Sequence, residues 1–365
     1  RMSKARELAE LGAVYDSGSL SNRNLVYNGS FEVAQRGETF SVTAAYTDYT
    51  LDRWRFYNTN GGAHTATKST TVPNNSFKNS FKLDCTTADT SLAAGDYNIF
   101  AQLFEGQDLI RAGYGTSSAK KLTLSFWVRS NKTGTYYAEL QLNSGGQASV
   151  PYTINAADTW EHKTCTFNGK TDSAPAYDNS VEMYLYFWLS AGSGFTSGTN
   201  SSGAWGTNAA NRVPGQVNFA DSTSNEWYIT GVQLELGDAA TPYEYRSFGD
   251  ELARCQRYYY SLTDGQTAYV TQGYQYTNSG SWSMQTPMPV TMRSAPSLTG
   301  NWTTTGYFLV YSNNLGQNTT NLSMNGSNTR CSTIASPSTD AGDGGIAGGL
   351  YAASGLSQLA FNAEL

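Results

Sequence analysis

The chain has 365 residues, a net charge of −6 and only 14% charged residues, set against 36 glycines and 25 tyrosines. Average proteins carry about 25% charged residues, so this surface must be wetted by Asn, Ser, Thr, Gly and Tyr, a mix suited to sugar contact, adhesion or large subunit interfaces. The lack of any basic run excludes nucleic acid as a partner, and no apolar stretch approaches the ~20 residues that span a bilayer as a helix. The opening RMSKARELAELG carries charge where a signal peptide needs an apolar core.

In chain order, residues 3–15 give the one clear helical signal. Ala5, Leu8, Leu11 and Tyr15 recur at three- and four-residue steps. Such a helix is too short to stand alone, and parallel copies of itself are its simplest partners. Residues 1–22 are therefore expected to form a helix and linker, a trimerising stem.

From residue 24 to about 246 the pattern changes to period two. KLTLSFWVRS puts Leu122, Leu124, Phe126 and Val128 on one face. YYAELQLNS does the same with Tyr136, Ala138, Leu140 and Leu142, and VEMYLYFWLS with Val181, Met183, Leu185, Phe187 and Leu189. Sustained alternation means strands with one face on a core, and many of them between Gly/Asn/Ser turns predict an all-β, antiparallel β-sandwich. Residues 190–224 read as a long Gly/Ser/Asn insertion, a length that connecting loops rarely reach without a role. EWYITGVQLELG is expected to close the sandwich, and 248–258 to be a short helix leading out of it. Residues 251–365 read as a second, C-terminal β domain, so poor in charge that close packing in an oligomer is expected.

The chemistry-bearing residues are few. His64 and His162 are the two histidines, and Cys85, Cys165, Cys255 and Cys331 lie far apart with no CxxC pair. Neither a zinc site nor a histidine-based dyad has the material it needs. The Gly-rich run at 340–349 lacks the Lys-Ser/Thr pair of a phosphate loop, and no GxSxG elbow is present. The expectation is no enzyme and no cofactor. What remains is aromatic. By strand parity Trp127, Tyr137, Glu139, Gln141, Tyr184, Tyr186 and Trp188 point away from the aliphatic core. Tyr and Trp rings offer both area and a polar tip, and Gln and Glu bond hydroxyls, so these seven are candidate glycan contacts; packing against a neighbouring subunit or the second sheet is the competing reading. In the C-terminal region Tyr274, Tyr276, Trp282, Trp302 and Tyr307 are further candidates, and Tyr269 stands among them. Trp54 is expected to anchor the core, with Arg53 held by Asp52 or a backbone carbonyl.

NLVYNGSFEVAQRGETF, followed by LDRWRFY, resembles a pattern of phage tail fibres and other virion fibre proteins. Asn24, Leu25, Asn28, Gly29, Gln35, Arg36, Gly37, Asp52, Arg53 and Trp54 supply its elements in order. ITGVQLELGDAATPYEYR and ELARCQRYY are similar to the later segments of those proteins. The first domain, 23–250, also resembles the jelly-roll carbohydrate-binding modules attached to glycoside hydrolases. In those modules an early Glu and a late carboxylate help to hold calcium; Glu32 matches the first, but Thr230-Gly231-Val232 offers no second. The resemblance implies a jelly-roll-like sandwich in a homotrimeric virion fibre subunit, assembled in the cytoplasm of the bacterial host. Its N-terminal end would meet other virion proteins. Its distal 251–365 would meet a bacterial surface glycan or outer-membrane receptor. A fibre-borne polysaccharide hydrolase or esterase and a purely structural decoration fibre are the two alternatives.

Overall fold

The computed structural model describes residues 22–143, 145–263, 267–275, 281–312, 315–319, 321–337 and 347–365. The expected helix at 3–15, and the stem with it, lies outside the described residues, as does Tyr276. The chain divides into two compact units, Arg1–Ser247 and Phe248–Leu365.

The first unit is an antiparallel sandwich of two six-stranded sheets. The first sheet holds β1 (Thr39–Val42), β4 (Ala63–Ser69), β5 (Ser80–Thr87), β12 (Glu226–Leu236), β7 (Leu122–Ser130) and β10 (Glu161–Phe167), in that order. The second holds β2 (Thr47–Tyr49), β3 (Trp54–Asn58), β6 (Tyr97–Glu105), β11 (Val181–Ala191), β8 (Gly134–Leu142) and β9 (Gly146–Ile154). From β5 onward the chain crosses between the sheets at almost every step, which makes the sandwich jelly-roll-like. The inward positions predicted from period two are buried except Val181, which is half-buried before a register shift in β11: Leu122, Leu124, Phe126 and Val128 from β7 meet Tyr136, Ala138, Leu140 and Leu142 from β8 and Met183, Leu185, Phe187 and Leu189 from β11 in one core.

The sequence motifs of the N-terminal segment turn out to be one interlocked piece of that core. Trp54 stacks on Phe100 with ring centroids 4.6 Å apart and donates its indole N–H to the Asn28 carbonyl at 3.0 Å. Asn28 sits at φ 53°, a left-handed position that Asn tolerates better than most side-chain-bearing residues. Its side chain accepts from the Val33 N–H and donates to the Val33 and Asp52 carbonyls. The Asp52 carboxylate accepts from both the backbone and the side-chain N–H of Gln35, each at 2.6 Å. Arg53 is fully buried, donates to the Leu103 carbonyl and lies over the Tyr27 ring. These side chains bond one another and the backbone, which is a structural role.

His64 carries a consequence for pH. It is packed between Phe56 and Phe219, 2% exposed, with Nε2 3.1 Å from the Gly61 carbonyl. Burial pushes its pKa down to about 4 from 6.5. A folded-state pKa below the unfolded value means that the unfolded chain binds the proton first. The stability held in the neutral ring is thus complete above pH 6.5 and is lost as pH falls toward about 4. We expect a loss of about 3 kcal/mol from this residue between pH 7 and pH 4. Urea midpoints compared with those of His64→Gln across that range measure it, and an equal slope in the variant contradicts it.

The second unit opens with the helix Phe248–Gln256 and is otherwise β. A three-stranded sheet runs β13 (Tyr259–Ser261), β22 (Leu359–Asn362), β16 (Ser297–Gly300). A seven-stranded antiparallel sheet orders β18 (Leu315–Asn318), β17 (Phe308–Ser312), β21 (Ala347–Ala352), β14 (Ala268–Gln275), β15 (Ser281–Pro287), β20 (Cys331–Pro337) and β19 (Ser323–Ser327). Its core gathers Trp282, Met284, Phe308, Val310, Ile334, Leu350 and Phe361.

Candidate functional site

Six of the candidate residues lie on strands of the second sheet of the first unit. Its inner face is the core, so its outer face presents the alternate residues of β3, β6, β11, β8 and β9. The 190–224 insertion leaves β11 and lies across half of that face. Phe195, in a helical turn at Ser193–Thr196, packs on Trp188 at 5.3 Å and Tyr97 at 5.6 Å. Arg212 lies 4.8 Å over the Trp188 ring. Its Nε donates to both Glu139 carboxylate oxygens at 3.1 and 3.0 Å, and its Nη2 to Glu139 and to Gln141 Oε1. The Ser149 hydroxyl donates to Glu139 at 2.6 Å, and the Tyr137 hydroxyl to the Pro214 carbonyl at 2.7 Å.

This arrangement corrects several expectations. Tyr137, Glu139 and Trp188 do point outward from the sheet, but the chain's own insertion buries them; strand parity gives a side chain's face and not what covers that face. Tyr186 is 9% exposed, at the margin of the covered area. Trp127 belongs to the other sheet, on β7, where it leans on His162 at 5.1 Å, so it is not part of the same surface. In the second unit Trp282 is 2% exposed and belongs to the core. Trp302 and Tyr307 are half-buried against that core. Tyr274 is 52% exposed. Glu32 is half-buried, and among the described residues no three or more His, Cys, Asp or Glu side chains gather to hold a metal ion, whereas hard cations take about six oxygen ligands. Burial raises the Cys85 and Cys165 thiols to about 11 and about 12, which leaves them unreactive.

On the uncovered half, Tyr184 forms a group with residues that the sequence reading missed. Tyr184 lies 5.6 Å from Tyr186, and Tyr186 meets Tyr57 edge-on at 6.1 Å. Arg55 lies 4.8 Å over Tyr57 and 5.6 Å over Tyr49. Tyr57 and Tyr184 are half-buried, with rings held and area left open, and Tyr97, against which Phe195 packs, is half-buried at the edge of the cover. Burial raises the pKa of Tyr57, Tyr184 and Tyr186, so their hydroxyls stay protonated donors at neutral pH. Parity within WRFYN could have put Arg55 and Tyr57 outward; only the sheet order β3-β6-β11 brings them to Tyr184.

On the far flank, over β9, the insertion and the sheet enclose a cleft of about 190 Å³. Trp205 and Arg212 line it along with amide and hydroxyl side chains. Gln147 pairs with Gly206 as an isolated bridge that fixes the insertion to the edge of β9. The outer face thus carries a tyrosine group, a buried ion pair and a polar cleft side by side.

No family model and no curated protein matches the chain. Among solved structures, the enzymatically active domain of bacteriophage CBA120 tailspike protein 4 is similar at 17% identity and a TM-score of 0.32, over 58% of this chain and 21% of that one. The carbohydrate-binding module TmCBM61, in complex with β-1,4-galactotriose, aligns at 10% identity and a TM-score of 0.30, over 59% of this chain and 99% of the module. Modules of the Clostridium thermocellum endo-1,4-β-D-xylanase 10B, complexed with xylohexaose, align at 14% identity and a TM-score of 0.31, over 61% of this chain and 30% of theirs.

Proposed function

We propose that the chain is a non-catalytic, glycan-binding subunit of a virion tail fibre that adsorbs the particle to a bacterial surface. The observation that carries the binding role is the pair of half-buried rings Tyr57 and Tyr184 left open on the second sheet, backed by the buried Tyr186 and with half-buried Tyr97 at the edge of the cover. Sugars stack their C–H faces on aromatic rings and bond to their polar tips. Rings already fixed by neighbours lose little freedom on binding. The virion role rests on the order of the residues from Asn24 to Trp54 and their resemblance to fibre proteins. Linked copies raise avidity steeply, so weak single sites suffice on a homotrimeric fibre.

The non-catalytic reading has a chemical basis. Glycoside hydrolysis needs two carboxyl groups flanking the bond. Glu139, the carboxylate in the middle of this face, is fully buried and held by Arg212 and Ser149. Binding of the labelled full chain to an array of bacterial capsular and O-antigen polysaccharides tests the reading, with reducing ends counted after overnight incubation. The expected result is retention of at least one polysaccharide without new reducing ends. Release of sugar would make the chain an enzyme, and silence across the array together with failure to bind bacteria would leave a decoration role.

A further inference from the structure

The cleft over β9 carries a more specific inference, which rests on the glycan-binding reading. We infer that it is a subsite for a single neutral pyranose, a terminal or side-branch residue of the bound glycan. Its volume of about 190 Å³ suits a single sugar ring.

Several of the lining amides are fixed in place by one bond and keep a polar end unused. Asn208 Oδ1 accepts from the Ala210 N–H at 3.1 Å, and Asn211 Oδ1 accepts from the Thr199 N–H at 3.1 Å. Each bond pins an amide by its oxygen and leaves the Nδ2 hydrogens without a partner among the described residues. Gln147 is held the opposite way, since Nε2 donates to the Asn208 carbonyl at 3.1 Å and Oε1 stays open. The hydroxyls of Ser201 and Thr207 also line the cleft with no side-chain partner among the described residues. A sugar hydroxyl both donates and accepts, so it needs a wall that does both. Two pinned donors, one pinned acceptor and two hydroxyls supply that. Trp205 adds an aromatic wall, itself anchored by its indole N–H on the Asn168 carbonyl at 2.7 Å.

Charge sets the class of sugar. Arg212 is the cleft's one ionised lining residue among those described, and its guanidinium is already neutralised by Glu139. An acidic sugar would find no unpaired cation there, so hexoses and other uncharged pyranoses fit better than uronic or sialic acids.

Asn208→Asp with Asn211→Asp is the matched test. Each carboxylate keeps the oxygen that pins the loop and replaces the two N–H donors. Saturation-transfer NMR and titration of the full chain would use a panel of neutral methyl hexopyranosides with methyl glucuronide beside them. We expect millimolar binding of at least one neutral glycoside, weakened about tenfold or more in the double variant. Thermal unfolding of the double variant should match that of the unmodified chain; if it does not, Trp205→Phe, which keeps an aromatic wall and loses its anchor, replaces it. Binding of the glucuronide alone overturns the neutral class. If no methyl glycoside binds while polysaccharide binding persists and depends on Tyr184, the cleft is not a subsite and the broader reading stands. If no glycan of any size binds, both fall.

Discussion

Replacing Arg212 by alanine is expected to destabilise the first unit by about 3–5 kcal/mol, the cost of leaving a buried charge unpaired. Glu139 has no exposed side-chain surface, and Arg212 is only 15% exposed. Deleting the guanidinium strands the buried Glu139 carboxylate and removes the contact with the Trp188 ring at 4.8 Å. It also removes one of the ties between the 190–224 insertion and the sheet, while the Gln147–Gly206 bridge and the Tyr137–Pro214 hydrogen bond remain. The double change Glu139→Gln, Arg212→Met removes both charges and should cost far less, since a neutral replacement of a buried pair is often tolerated. Urea unfolding followed by tryptophan fluorescence measures both. A loss below about 1 kcal/mol in the single variant would mean that water reaches the pair and that the insertion is not held as described.

The architecture was legible because burial in a sandwich writes itself into period two. Leu122 to Val128, Tyr136 to Leu142 and Met183 to Leu189 were assigned inward from alternation alone, and they form the core. Arg53 was legible for another reason: a buried guanidinium must find an oxygen, and the Leu103 carbonyl provides it. The site was legible only in part. Parity says that Tyr137, Glu139, Tyr184, Tyr186 and Trp188 share a face, but the cover over that face comes from an insertion whose Gly/Ser/Asn composition gives no hint of where it lies. Arg212 is one of many arginines in the sequence, and its pairing with Glu139 spans 73 residues. Alternation does not say which sheet a strand joins, so parity alone cannot separate Trp127 from the others. Tyr57 has no mark of its own beside the core residue Trp54, and its contact with Tyr186 depends on β6 lying between β3 and β11.

The largest effect on binding is expected from the tyrosine group. Tyr57→Ala combined with Tyr184→Ala removes two half-open rings and leaves the core-facing residues of β3 and β11 in place. Aromatic hot spots are worth about 2 kcal/mol or more each. Part of that is returned by neighbouring contacts, so the pair should cost about 3 kcal/mol, roughly a hundredfold in affinity. Tyr57→Phe with Tyr184→Phe keeps the rings and loses two hydroxyls, and a loss of about tenfold is expected. The direct measurement is titration of the full chain and these two variants with the polysaccharide it retains on the array. The account predicts a steep fall for the alanine pair, an intermediate value for the phenylalanine pair and unchanged unfolding temperatures. Equal affinity in all three proteins would contradict it and take glycan recognition away from the tyrosine group.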